Sequence, residues 1–159
     1  MAEPSAFDYT TAAVGCAWPA LSLPPVTRLT LALYCGASGD HNPLHVDQDF
    51  AREAGLGDVI AHGMLVMGYM GRTVTRFVPQ TALLAFNTRF QAMTRVGDQI
   101  TCTGEVIAHE TGADGRPCIR LVLRATDQKG EVKTQGEALI ALPGFMSQTS
   151  YRTAPPCVT

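Results

Sequence analysis

Residues 38–64 read SGDHNPLHVDQDFAREAGLGDVIAHGM and hold three of the four histidines in this 159-residue chain. Asp40 and His45 are the first residues of interest. Adding water to a double bond next to a carbonyl, or removing it, moves two protons, one at oxygen and one at the carbon alpha to the carbonyl. An imidazole that titrates near neutrality and a carboxylate held beside it can divide those roles. Between them lies Asn42-Pro43. Proline fixes its own φ and biases the preceding residue toward extended geometry, so this turn can bring positions 40 and 45 to one side. On spacing alone, a turn carboxylate and a surface imidazole remain the plainer reading.

His62-Gly63 is the second element. A glycine at a helix start offers unpaired N–H groups, the positive end of the helix dipole and close approach for a ligand. Such a donor suits the negative charge that develops on a thioester oxygen in an enolate-like transition state. The alternative is a glycine with only a packing role. Asp40, His41, His45, Asp47 and Asp49 could also ligate a metal. However, Leu44 stands where a calcium-loop ligand belongs, the glycine at the sixth position is missing and HExxH is absent, so no metal site is expected.

These residues need a frame. A short strand is expected near 15–21, then a helix capped by Thr27, with Leu29, Leu31, Leu33 and Tyr34 as a partial stripe ending near Gly36. Asp47 reads as the cap of a short helix over 48–54, stopped by Gly55. Residues 59–78 predict the strongest helix, apolar on most faces and therefore buried, with Pro79 ending it. Gly63, Gly68 and Gly71 inside it imply that something packs close to that backbone. The period then changes, and strands are expected over 83–94, 98–109, 118–126 and 132–142, with turns at 96–98, 111–116 and 128–130. One buried helix followed by an antiparallel meander implies a sheet wrapped around a central helix. The edges of that sheet invite side-by-side dimerisation.

Ser38-Gly39-Asp40-His41-Asn42-Pro43-Leu44-His45-Val46-Asp47, followed by Ile60-Ala61-His62-Gly63-Met64-Leu65, resembles the hydratase-2 motif of the MaoC-like (R)-specific enoyl-CoA hydratases and 3-hydroxyacyl-thioester dehydratases. The resemblance covers about 28–110 and weakens in the last strands. It implies an α+β hot-dog fold, usually dimerised, with no metal and no redox cofactor. Coenzyme A or phosphopantetheine would enter only as part of the substrate. By motif match, Asp40 and His45 would be the catalytic pair and Gly63 would give its N–H to the thioester oxygen. Asn42 would support loop and water geometry, and His62 would play a supporting part. Where some members carry a serine one turn along the central helix, this chain has Gly71.

Bulk properties set the remaining bounds. The length fits a single domain over 1–159, with residues 1–27 an irregular segment plus the first strand and 144–159 a loose tail. A net charge of −2 gives no field that draws nucleic acid or anionic lipid. The apolar run 60–70 is too short and too interrupted to span a bilayer. Five cysteines without a CxxC pair fit a reducing cytoplasm better than a disulfide framework. The expected partners are an acyl-CoA or acyl-carrier-protein thioester and a second copy of the chain. Leu65, Met67, Met70 and Phe86 are candidates for an acyl tunnel, and Arg72, Arg76, Arg89 and Arg95 for phosphate contacts. Two further readings are a non-catalytic thioester-binding or partner subunit and a hot-dog thioesterase. The second is weakened because residues 64–78 hold no Asp or Glu.

Overall fold

A computed structural model describes residues 7–143; the tail expected over 144–159 lies outside them, as do residues 1–6. The elements are β1 (Ala17–Ser22), α1 (Arg28–Ser38), α2 (Gln48–Glu53), α3 (Gly63–Thr75), β2 (Leu83–Phe90), β3 (Thr101–Thr111), β4 (Pro117–Thr126) and β5 (Val132–Ala141). The strands form one antiparallel sheet in the order β1-β3-β4-β5-β2. This is the hot-dog arrangement expected of the chain.

The register explains how the sheet wraps the helix. Val106 pairs with Leu121, Leu121 with Ala138 and Ala138 with Phe86, so one inward row crosses four strands. Val106, Leu121 and Ala138 are fully buried, as are Met70 and Val74 of α3. Removing each large side chain of this kind from water contributes roughly 1.5–3 kcal/mol. The outward row carries charge instead, with Arg120 paired to Glu110 at 2.7 Å and to Glu137 at 2.9 Å. Strand alternation therefore separates the core face from the wet face. Trp18 fastens β1 to the helix by donating its indole N–H to the Thr73 carbonyl at 2.9 Å.

Four details differ from the sequence-based expectation. The strands are not a simple meander: only β3, β4 and β5 run consecutively, while β2 crosses to the far edge and pairs with β5. Gly136 permits that pairing, since a Cβ there would lie 2.8 Å from the Thr88 Cα. The central helix begins at Gly63 rather than at 59, because Ile60 forms a β-bridge with Arg95 and the Ala61 N–H donates to the Thr94 carbonyl at 2.8 Å. Its buried residues are Leu65, Val66, Met70, Thr73 and Val74, and Met64 is 55% exposed, so it is not buried on every face. Of its glycines, only Gly63 is closely overlaid: Gly68 has open space and Gly71 only an ordinary neighbour in Phe86.

The caps follow the sequence closely. The Thr27 hydroxyl accepts from the Thr30 N–H at 3.0 Å. α1 continues past Gly36 to Ser38 and ends on Gly39 in the left-handed region, φ 73°. On α1, Leu31 and Cys35 are buried, whereas Leu29 and Leu33 face outward.

Candidate active site

The loop between α1 and α2 is built by short polar side chains bonding to nearby amides. Ser38 Oγ accepts from the Asp40 N–H at 3.2 Å, Asp40 Oδ1 from Asn42 at 3.2 Å and Asn42 Oδ1 from Leu44 at 3.1 Å. Asn42 caps a single 3₁₀ turn, Pro43–His45, which proline at its first position favours. Asp47 then caps α2 through the Asp49 and Phe50 amides at 3.0 and 3.1 Å. Asn42 thus shapes the loop through the Leu44 amide.

This loop is clamped to the extended segment before α3. The Ile60 N–H donates to the Leu44 carbonyl at 3.1 Å, and His45 Nδ1 lies 2.8 Å from the Ile60 carbonyl. A carbonyl only accepts, so Nδ1 carries the proton and Nε2 of a neutral His45 is left as the base. The same logic applies to His62, whose Nε2 donates to the Asp40 main-chain carbonyl at 3.0 Å. His62 is 2% exposed, and its Nδ1 has no hydrogen-bond partner. Its ring stacks on His45 with centroids 3.7 Å apart and planes at 27°, and Tyr34 meets its edge at 4.9 Å. His62 therefore holds both members of the expected pair: Asp40 by its main chain and His45 by its ring.

One potential donor or acceptor atom from each of Asp40, His45 and His62 falls within 4.8 Å of the other two. Residues of these types this close together could also hold a metal ion.

A cavity of about 340 Å³ opens beside the cluster, lined by His45, Gly63, Val66, Phe90, Met93 and Thr94 among others. Gly63 sits at the first position of α3, where amides lack intrahelical partners. His45 and Gly63 thus share one cavity; Asp40 is exposed and is not among its lining residues, but it lies beside His45. The tunnel candidates Leu65, Met67, Met70 and Phe86 are not in the lining, because α3 presents Val66 to the cavity and buries Leu65 and Met70 in the core. Among the arginines, Arg89 lies in a separate polar groove with Asn87 and Gln135, and Arg76 rides over the Phe77 ring.

Sequence reasoning missed two lining residues of consequence. The Phe90 ring covers Gly63, with ring carbons 3.0–3.3 Å from where a Cβ would stand. That is a reason for glycine independent of oxyanion binding. Lys133 also lines the cavity, although it is 3% exposed and surrounded by Asp98, Asp127 and Glu131 at 3.1, 3.1 and 2.5 Å. Burial alone would push its ammonium down, but hydrogen bonds to Glu131, Asp127 and Asp98 override it and raise it to about 12. A lone lysine inside a strand carries no signal of such a place.

The family description "MaoC like domain" matches residues 21–126, well over half of the chain. The chain belongs to the MaoC-like family. An (R)-specific enoyl-CoA hydratase of Rhodospirillum rubrum is 29% identical to it over 120 residues, covering 74% of this chain and 81% of the relative. Another from Aeromonas caviae is 30% identical over 115 residues, covering 71% and 84%. The crystal structure of the R-hydratase PhaJ1 from Pseudomonas aeruginosa superposes on this MaoC-like chain with TM-score 0.73 at 25% identity, covering 96% of each.

Proposed function

We propose that this MaoC-like chain is a hydro-lyase that reversibly adds water to trans-2-enoyl thioesters, giving (R)-3-hydroxyacyl thioesters. The observation that carries the reading is the cavity that His45 and Gly63 line together, with a ligand atom of Asp40 within 4.8 Å of one on His45. Asp40 and His45 hold one water. Its oxygen attacks C3 while one of the pair takes a proton, and a proton is delivered to C2, so the elements of water add across the double bond. The Gly63 N–H, at the positive end of α3, stabilises charge on the thioester oxygen as C2 gains electron density. His62 and Asn42 support the pair. In the reverse direction the same groups expel water.

The chemistry needs no metal and no redox cofactor, and coenzyme A or phosphopantetheine comes with the substrate. Among the described residues, no helix is long and apolar enough to cross a membrane. The reading places the chain in the cytoplasm, where free thiols such as Cys35 and Cys102 persist. It places a second copy beside this one, because Met64, Phe90 and Met93 are each about half exposed near the cavity.

The test is turnover. Purified protein is mixed with enoyl thioesters of graded length on coenzyme A and on carrier protein, and loss of the enoyl absorbance is followed. Production of the (R)-3-hydroxyacyl thioester is the expected result. Absence of turnover with every thioester, in both directions, overturns the reading.

A further inference from the structure

Part of the cavity wall, Gln91–Thr94, belongs to a connection, residues 91–98, which contains no helix or strand of its own. Its position is set almost wholly through main-chain groups, and many of those bonds lead to Lys133. The Lys133 carbonyl accepts from the Gln91 and Ala92 amides at 2.9 and 3.3 Å. Its Nζ donates to the Met93 carbonyl at 3.1 Å. Asp98, which also pairs with Nζ, accepts the Arg95 N–H at 2.8 Å. Asp127 pairs with Nζ and takes the Lys129 and Glu131 amides at 2.9 Å each, which fixes the β4–β5 turn as a base. The wall then reaches the site directly, since the Thr94 carbonyl receives the Ala61 N–H at 2.8 Å, two residues before Gly63.

We propose that Lys133 is a positioning residue: the ammonium in its carboxylate cage locks residues 91–95 as the wall of the thioester cavity and, through Thr94, the segment that presents His62 and Gly63. It acts through the wall and touches no reacting atom. The inference rests on the hydratase reading for its kinetic consequence, but its structural half stands alone.

The experiment compares wild type with Lys133→Met and Asp98→Asn. The second removes one carboxylate and loosens the Arg95 amide, while Asp127 and Glu131 still neutralise the ammonium. Kinetics are taken well below the unfolding temperature and normalised to folded protein, with crotonyl-CoA and a longer enoyl-CoA. Amide exchange is read at Gln91, Ala61 and Arg95, and in the centre of β4. The expected result is a roughly tenfold or greater fall in kcat/KM, unequal for the two acyl lengths, with faster exchange at the three wall amides and unchanged exchange in β4. A purely structural lysine would lower the unfolding temperature but leave kcat, KM and wall exchange of the folded protein as in wild type; that result overturns the proposal. If Lys133→Met does not fold, Asp98→Asn decides by the same criteria, with a smaller expected effect. If the wild-type protein turns over no thioester, the hydratase reading falls while exchange still judges whether Lys133 fixes the wall.

Discussion

Two polar clusters border one cavity, and they are built in opposite ways. Around Lys133, three carboxylates and a carbonyl satisfy the ammonium, and Asp127 also binds two amides. Around His45, His62 Nδ1 is buried without a partner, Asp40 is exposed, and His45 lines the cavity. A cluster whose groups are all spoken for rigidifies its surroundings. Asp40 and His45, which are not fully buried, can reach water. The difference sets a fully paired cluster beside an under-paired one.

The comparison predicts opposite mutational signatures. Asp40→Asn or His45→Ala should lower turnover by about 10²–10⁴, or roughly 3–5 kcal/mol of barrier, with little change in the unfolding temperature. Near-wild-type hydration by either folded variant would remove the chemical role of the first cluster. Lys133→Met should cost about 3–5 kcal/mol of stability in denaturant titrations, because it strands carboxylates that the ammonium neutralised. A loss under 1 kcal/mol would show that the cage is mechanically idle.

His62→Phe keeps a ring against His45 but removes the hydrogen bond to the Asp40 carbonyl. It should reduce turnover about tenfold by letting that loop drift, at a stability cost of about 1 kcal/mol. Equal turnover would show that stacking alone holds the pair. Acid and alkali probe the cage from both sides. Lys133 is raised from 10.5 to about 12 in the fold, so its stabilisation is complete below pH 10.5 and is lost as pH rises through 12. Burial works against Asp127, but amide and Lys133 hydrogen bonds hold it below its ordinary 3.8, so its share is present above pH 3.8 and is lost on acidification below it. Denaturant midpoints against pH should show both limbs in wild type and a weakened alkaline limb in Lys133→Met. At the small end, Arg52→Ala breaks an exposed pair with Asp49, and should change stability by less than about 0.5 kcal/mol.

What could be read from the sequence was what is encoded locally. Thr27, Asp47 and the turn at Gly97 act through neighbours a few residues away, so their types announce them. The Asp40–His45 and His62–Gly63 pairs were legible because an Asn-Pro turn and a helix-start glycine are short motifs, although only tertiary clamping brings them together. The false helix start at 59 shows the limit. An apolar run, Val59-Ile60-Ala61, fits helix or extended chain equally, and the distant partner Thr94 decides. The place of β2 beyond β5 likewise depends on pairings more than 40 residues apart, and the burial of Lys133 draws on Met93 and Asp98 as well as on its neighbours Asp127 and Glu131.

Because the cavity wall is fastened by its amides and carbonyls, the side chains of Gln91 and Met93 carry none of the bonds that hold it in place. Those positions can be exchanged without loosening the chain beneath them. Acyl preference is therefore open to change by a small library there, while Asp40 and His45, proposed to handle protons, stay untouched.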